Sequence, residues 1–351
     1  MPCLLPCRRW FLLLRLWCPE RIESVFYTVM KEGPVKVVES VSVKHFYEKY
    51  MHVLRLALIN SPKGLSRLIY EPAINRPGLA IAGFYAYFAH KRIQVFGAAE
   101  VAYLRKLPEG LRRSRVQRMY KGGVPCIIFA RGEDAPPEIL ELADECAICV
   151  FKTDLVTMRF VNAATIILET EFAESTMLHG CMLDIRGIGL MIMGKSGVGK
   201  SETALGLIER GGSLVADDVV ILRNVGGELI GSAPELSRGY MEVRGLGIVN
   251  VTNLFGMKAL RQEKRLDLIV SLKSGDGSDL DRLGLERGSY TILGVPVLHV
   301  ELPVAPGRDT SRLVEVAALD QYLKDVGYDM AGEFNRQLMR KFSAGGKNDT
   351  E

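Results

Sequence analysis

The octapeptide Gly194-Lys195-Ser196-Gly197-Val198-Gly199-Lys200-Ser201 constrains this chain more than any other stretch. It fits G-x-x-x-x-G-K-[ST], the phosphate-binding P-loop, which needs a strand before it and a helix after it. Both are legible. Gly189-Leu190-Met191-Ile192-Met193 is a short apolar run of strand type, while Glu202 to Arg210 spaces its apolar residues helically and stops at Gly211-Gly212. Glycines let the backbone curl until successive N–H groups face inward, and the helix start adds partial positive charge, so such a loop cradles phosphates. Gly194, Lys195, Ser196, Gly197, Val198 and Gly199 are therefore expected to wrap phosphates. Lys200 is expected to reach the outer phosphates and the Ser201 hydroxyl to ligate Mg²⁺. The competing possibility is a glycine turn with no ligand.

A P-loop enzyme also needs an acidic residue at the end of a neighbouring strand. Leu214-Val215-Ala216-Asp217-Asp218-Val219-Val220 offers two adjacent carboxylates inside an apolar strand. Alternation points them opposite ways, one toward the phosphates and the other into the scaffold. Between Arg238 and Val251 fall two arginines, a glutamate and three glycines. There Glu242 can ligate Mg²⁺ and Arg244 can grip phosphate with two prongs, although an ordinary strand and turn fits the same residues. Pro303-Val304-Ala305-Pro306-Gly307-Arg308 is a stiff turn ending in a cation, either a loop over a site or a plain surface turn.

A length of 351 residues suggests two domains, each burying its own core. Upstream of the P-loop, strands and helices alternate. Val41–Glu48 leads from a strand or cap into a helix, and Val53–Leu58 is a strand. Leu79–Phe88 is an apolar helix, Arg92–Phe96 a strand and Ala99–Arg105 a helix. Pro125–Ala130 is a buried strand, Pro136–Ala143 a helix with its prolines at the start, and Cys149–Phe151 a strand. The expected organisation is an extension over 1–29, disordered or wrongly started, then an α/β regulatory or assembly domain over 30–158. A linking helix over 159–174, a P-loop catalytic domain over 175–336 and a polar tail over 337–351 complete it. The fold class is α/β, a P-loop kinase-type C-terminal domain preceded by a smaller α/β domain. His45, His52 and His90 lie in separate segments without ligand spacing. Phe11-Leu12-Leu13-Leu14, flanked by Arg8, Arg9 and Arg15, is too short to span a bilayer. Seven scattered cysteines are no disulfide framework, and Cys146 and Cys149 read as buried thiols, as in a reducing cytoplasm. The basic cluster from Arg105 to Lys121 lacks interleaved aromatics and reads as a solvated face, so neither nucleic acid nor membrane is expected as a partner.

Several ungapped blocks together resemble HPr kinase/phosphorylase, a bifunctional bacterial enzyme family. They are Leu178-His179-Gly180, the run from Gly194 through Leu205, Ala216-Asp217-Asp218, and Glu242-Val243-Arg244-Gly245-Leu246-Gly247-Ile248. Asn253-Leu254-Phe255-Gly256 and Asp281-Arg282-Leu283-Gly284 continue the series. Asn75-Arg76-Pro77-Gly78-Leu79-Ala80 and Lys91–Gly97 resemble the family's N-terminal domain, so the likeness runs from about Val41 to Arg336. The resemblance implies transfer of phosphate from ATP to a regulatory serine of HPr, a small carrier of the sugar phosphotransferase system. It also implies a reverse reaction in which inorganic phosphate removes the group and pyrophosphate leaves. By that likeness Asp218 acts as base in the forward direction and as acid in reverse, and Lys200 binds phosphates. Ser201 and Glu242 hold Mg²⁺, and His179 and Arg282 lie in the active site. Met241, Arg244, Gly245, Gly247 and Asn250 serve both directions, while Pro303, Gly307 and Arg308 serve mainly dephosphorylation. A homo-oligomer, hexameric in the family, is implied as well. The sequence departs from the family at Asn250, where many members carry Asp, at Ala305-Pro306, and at Asp309, a frequent Asn. Two other functions stay open on the residues alone: a module that senses nucleotide or phosphate without turning over a protein, and a small-molecule kinase.

Overall fold

The computed structural model describes residues 33–274, 288–305 and 307–329, with 332–340 apart from 335 and 338. The chain forms two compact units, one over Val37–Glu174 and one built from Ser175 onward. Gly33–Lys36 belongs with the second unit: Lys36 and Ser175 exchange backbone hydrogen bonds of 2.7 and 3.0 Å.

In the first unit β1 (Val41–Ser42) leads into α1 (Val43–Tyr50), followed by β2 (Ala57–Leu58), β3 (Leu68–Ile69) and β4 (Ile74–Asn75). Then come α2 (Gly78–Ile81), β5 (Ile93–Phe96), α3 (Ala98–Lys106), α4 (Glu109–Lys121), β6 (Cys126–Phe129), α5 (Pro137–Glu145), β7 (Cys149–Lys152) and α6 (Thr157–Phe172). The main sheet runs β2-β7-β6-β5-β4, parallel except at β2. Its central strand β6 is apolar without interruption because both faces are covered, while β5 carries one buried polar residue, Gln94, whose amide donates to the Ala89 and Arg92 carbonyls. Along β6, Cys126 and Ile128 join one core while Ile127 and Phe129 join the other. The helix expected to link the halves is part of this unit's core, through Phe160, Ala164 and Leu168.

Three local expectations change here. Of Val53–Leu58 only β2 is strand, because Leu54 N–H and Leu56 N–H turn back to the Tyr50 and Met51 carbonyls. Of Leu79–Phe88 only the first turn is helical: Gly83, at φ 101°, ends it in the left-handed region. The basic cluster spans the last turn of α3 and the length of α4, and its cations are largely paired within the unit. Arg112 meets Glu138, Arg113 meets Glu141 and Glu145, and Arg118 lies 4.4 Å over the Tyr85 ring.

Helix α1 is clamped to α6 by Glu171. Its carboxylate accepts from Lys49 Nζ at 2.7 Å and from the Tyr50 hydroxyl, and lies 3.1 Å from His45 Nε2. Burial pushes this carboxyl up, but the hydrogen bonds from Lys49 and Tyr50 and the nearby charges outweigh it and hold it below the usual carboxylate range. A lowered folded-state value contributes stability above the unfolded carboxylate range, which is lost as pH falls through the folded value. Glu171→Gln should therefore lower stability by about 1 kcal/mol at neutral pH. In thermal melts from pH 7 to pH 3 the gap to the wild type should close as the medium becomes acid. A gap that stays constant would remove this account of the clamp.

The second unit contains β8 (Ser175–His179), β9 (Cys181–Ile185), β10 (Ile188–Gly194), α7 (Lys200–Glu209), β11 (Ser213–Ala216), β12 (Val219–Val225) and β13 (Glu228–Ser232). After these come β14 (Tyr240–Val243), β15 (Gly247–Asn250), α8 (Val251–Phe255), β16 (Glu263–Arg265), β17 (Leu268–Ser274), β18 (Gly288–Ile292), β19 (Val295–Val304) and α9 (Thr310–Asp325). A six-stranded sheet runs β11-β9-β10-β17-β19-β18, with β10, β17 and β19 parallel. A four-stranded antiparallel sheet runs β16-β13-β12-β8, and β14 with β15 forms a separate hairpin. Alternation makes three layers. From β10, Leu190 and Ile192 pack with Leu207 of α7 and Val314 of α9, while Met191 and Met193 pack with Val220 and Leu222 of β12. The stretch 175–185, whose apolar alternation reads as one strand in the sequence, is two strands in two sheets. They part at Gly180, where a Cβ would sit 2.7 Å from the Ile192 carbonyl oxygen. Among the described residues no helix is long and apolar enough to cross a membrane.

Candidate active site

Strand β10, buried from Ile188 to Met193, delivers the glycine loop to the edge of the sheet. Gly194 sits at φ 149°, and a Cβ there would lie 2.8 Å from the Leu272 carbonyl oxygen of the neighbouring strand. Gly199, at φ 99°, is the left-handed residue from which α7 starts, and its carbonyl accepts from both Thr203 N–H (2.9 Å) and Thr203 Oγ1 (2.7 Å). Lys200, the first residue of α7, folds back over the loop. Its ammonium donates to the Gly194 carbonyl at 3.1 Å and to the Lys195 carbonyl at 3.3 Å. Val198 N–H donates to the Lys195 carbonyl, closing the loop on itself.

The two aspartates sit where strand β11 has ended. They form the turn from β11 to β12, and Asp218 takes φ 65° there. That turn, rather than strand alternation, gives them opposite surroundings. Asp217 is only 7% exposed. It accepts the Ser201 hydroxyl at 3.2 Å and Glu242 N–H at 3.2 Å. Burial pushes its carboxyl up, opposed by hydrogen bonds from the Cys181 thiol, Glu242 N–H and Ser201. Asp218 has a side chain 83% exposed, 3.8 Å from His179 Nδ1. Its carbonyl accepts from Gly180 N–H at 3.0 Å, and His179 pairs with Val219 in the β8–β12 ladder.

The β14–β15 hairpin closes the cleft from another side. Met241 and Val243 are buried in the core, so the residues between and after them, Glu242 and Arg244, are left to line the cleft. The Arg244 guanidinium lies against Gly197, where a Cβ would come within 3.0 Å of it. Gly245 and Gly247, at φ 84° and 85°, let the hairpin turn tightly. Asn250 caps α8, accepting Asn253 N–H at 3.0 Å.

One cleft therefore gathers Ser196, Gly197, Gly199, Lys200, Ser201, Asp217, Asp218, Glu242 and Arg244, with Glu202 beside them. Gly194, Lys195 and Val198 frame the loop, and Met241 lies in the core. Pro303 is inside β19, paired with Lys273. Gly307 is left-handed at φ 81°, and exposed Arg308 donates its N–H to the Ala305 carbonyl. Asp309 caps α9 through Arg312 N–H and meets Arg210 at 2.7 Å, and this hydrogen bond and charge hold its carboxyl low. Arg282 and Pro306 lie outside the described residues. The residue that sequence reasoning singled out least is Asp217. Its tie to Ser201 is the stronger structural link to the P-loop, and its signal was present only as one member of an adjacent pair.

The donors suit a magnesium nucleotide. Ser201 Oγ, the Asp217 carboxylate tied to it and Glu242 are oxygen ligands, the kind a hard cation takes, and Mg²⁺ keeps several waters and phosphate oxygens rather than a full protein cage. Among the described residues no cluster of three or more His, Cys, Asp or Glu is set to hold a metal. The cleft can thus bind a triphosphate at the loop and present an exposed carboxylate to an acceptor hydroxyl.

Residues 41–168 match the model of the HPr Serine kinase N terminus, and residues 170–338 match that of the HPr Serine kinase C-terminal domain. A protein from Chloroherpeton thalassium, named HPr kinase/phosphorylase, is 41% identical over 317 residues, covering 89% of this chain and 93% of that protein. One of the same name from Bacillus licheniformis is 41% identical over 290 residues, covering 82% of this chain and 94% of that protein. A solved structure of the Hpr(Ser) kinase/phosphatase from Coxiella burnetii is 36% identical with a TM-score of 0.42, covering 45% of this chain and 97% of that one.

Proposed function

The chain belongs to the HPr serine kinase family, and on that footing we propose that it phosphorylates a serine of an HPr-like phosphocarrier protein with Mg-ATP. In the reverse direction inorganic phosphate takes the group from phosphoserine, and pyrophosphate leaves. The observation that carries the assignment of roles is the contrast between the two adjacent carboxylates. Asp217 is buried and bound to the P-loop serine, while Asp218 is exposed at the cleft.

In the forward direction Lys200 swings from the loop carbonyls to the outer phosphates, and the P-loop N–H groups hold the rest. Ser201, Asp217 and Glu242 would hold Mg²⁺, which would neutralise charge on the phosphate oxygens. Asp218 accepts the proton of the serine hydroxyl as its oxygen bonds to phosphorus and ADP leaves. In reverse Asp218 returns that proton to the serine oxygen as its bond to phosphorus breaks and inorganic phosphate becomes pyrophosphate. His179 stands 3.8 Å from Asp218, and its place in the active site follows the family resemblance; Arg244 faces the loop as a second phosphate cation. Arg282 and the Pro303–Arg308 stretch are assigned by the family resemblance alone. Asn250 caps its helix as an aspartate would, so that departure removes a charge without removing the cap. Homo-oligomerisation and a cytoplasmic setting belong to the same reading.

The test is phosphate transfer from labelled ATP with Mg²⁺ to HPr of the same source, followed by excess inorganic phosphate. Label should appear on serine and then leave as pyrophosphate. Label that stays would limit the chain to the kinase direction and implicate the Ala305–Asp309 departures. No label on HPr, with ATP still bound, would overturn the assignment.

A further inference from the structure

The carboxyl ends of β17 and β19 carry two polar links on one face of the six-stranded sheet. In their parallel register Ile269 is opposite His299, Ser271 opposite Glu301 and Lys273 opposite Pro303. Alternate residues share a face. His299 and Glu301 each reach diagonally, two residues past their own partners. His299 Nε2 lies 2.8 Å from Ser271 Oγ, and the Glu301 carboxylate lies 2.5 Å from Lys273 Nζ. His299 and Ser271 are half-buried, and the Tyr290 ring stands edge-on to the imidazole with its centre 6.0 Å away. Burial pushes the imidazole down, which keeps it neutral at neutral pH.

Leu272 lies between the two links. β17 is also the parallel neighbour of β10, with Ser271 opposite Met193 and Leu272 opposite Gly194. The first residue of the phosphate loop therefore rests on Leu272, whose carbonyl oxygen leaves no room for a Cβ on Gly194.

We propose that His299 is a positioning residue for phosphate transfer: through Ser271 it braces the strand on which the phosphate loop is seated. This rests on the protein-kinase reading above. Further down the same face Ile269 and Val297 are buried in the apolar layer that also holds Met193. An apolar pair in place of serine and histidine would cost such a face little stability, so stability alone does not call for them. The Lys273–Glu301 link is the more exposed, its lysine 58% open to solvent, and pairs of that kind hold weakly. Neither His299 nor Ser271 lines the cleft, so their effect falls on where the phosphate is held rather than on what holds it.

Ser271→Ala, His299→Leu, the double variant and His299→Gln in the full chain test this. In each of the first two, kcat for transfer to HPr should fall about tenfold or more, the scale of a small misplacement of reacting groups. The double variant should fall no further than the worse single one, since both remove one link. His299→Gln, whose amide reaches where Nε2 does, should restore most of the rate. The KM for ATP and the dissociation constant for Mg-ADP should stay within about twofold. Unchanged kcat in Ser271→Ala would overturn the brace while leaving the kinase reading intact. Losses that add in the double variant, or that follow the melting temperature and are not rescued by glutamine, would also overturn it. No wild-type transfer to HPr would strike the kinase reading itself, and the brace with it.

Discussion

Asp218→Ala should lower the forward and the reverse rates together by about 10²–10⁴-fold, the range for losing a positioned general acid–base. The structure separates this loss from trivial causes. The Asp218 side chain is 83% exposed and makes no core contact, so the stability cost should be confined to placing alanine at φ 65°, about 1 kcal/mol, which Asp218→Asn avoids. Its neighbour Asp217, not Asp218, is bonded to Ser201 and Glu242, so nucleotide and Mg²⁺ binding should persist. Asp218→Asn keeps the shape and removes the proton acceptor, and it should fall nearly as far as Ala. Single-turnover assays in both directions, with Mg-ADP binding measured on the same samples, check this. Turnover retained in either direction would end the role assigned to Asp218. A parallel loss of nucleotide binding would move the role to Asp217.

Lys200→Ala should be the second large effect, with transfer reduced by about 10²–10³-fold, as when one preorganised donor is removed from a developing charge. Unlike Asp218, this change should also weaken nucleotide binding, since the ammonium is the loop's mobile cation. Lys200→Arg should not rescue it. Lys200 folds back onto the Gly194 and Lys195 carbonyls, a compact arrangement that suits a point charge and not a planar fork. Calorimetric titration of Mg-ADP beside the transfer assay reads both effects. Full activity in the arginine variant would show that charge alone is needed there.

The P-loop, its strand and its helix were legible because each part has a local cause: an apolar run, left-handed glycines and a helical period. Strands β6 and β7 of the first unit were legible for the same reason, as short apolar runs, and β5 was legible despite the buried Gln94 within it. Gly180 was not, since nothing local says that a strand of alternating apolar residues must divide between two sheets. The requirement comes from the Ile192 carbonyl packed against it. Nor was the turn at Asp217-Asp218 legible, because the positive φ at Asp218 is set by the change of sheet between β11 and β12. The run Leu79–Phe88 misled for the opposite reason. Only Ala80 and Ile81 of it are buried, while Leu79, Phe84 and Tyr87 are exposed and Tyr85 is held by its hydrogen bond to the Arg115 carbonyl, so its apolar content is not a helical stripe.

The methionine layer between the two sheets has a mechanical consequence. The P-loop hangs from the six-stranded sheet, while His179, and the strand that follows Asp218, belong to the four-stranded one. Met182, Met191 and Met193, with Val220 and Leu222, act as the shim between them. The turn that carries Asp218 follows directly from β11 of the six-stranded sheet, so this layer bears on the strand after it as well as on the turn. A change of one methylene in that shim is expected to shift the two sheets against each other, and with them the exposed carboxylate at their junction, before it threatens the fold.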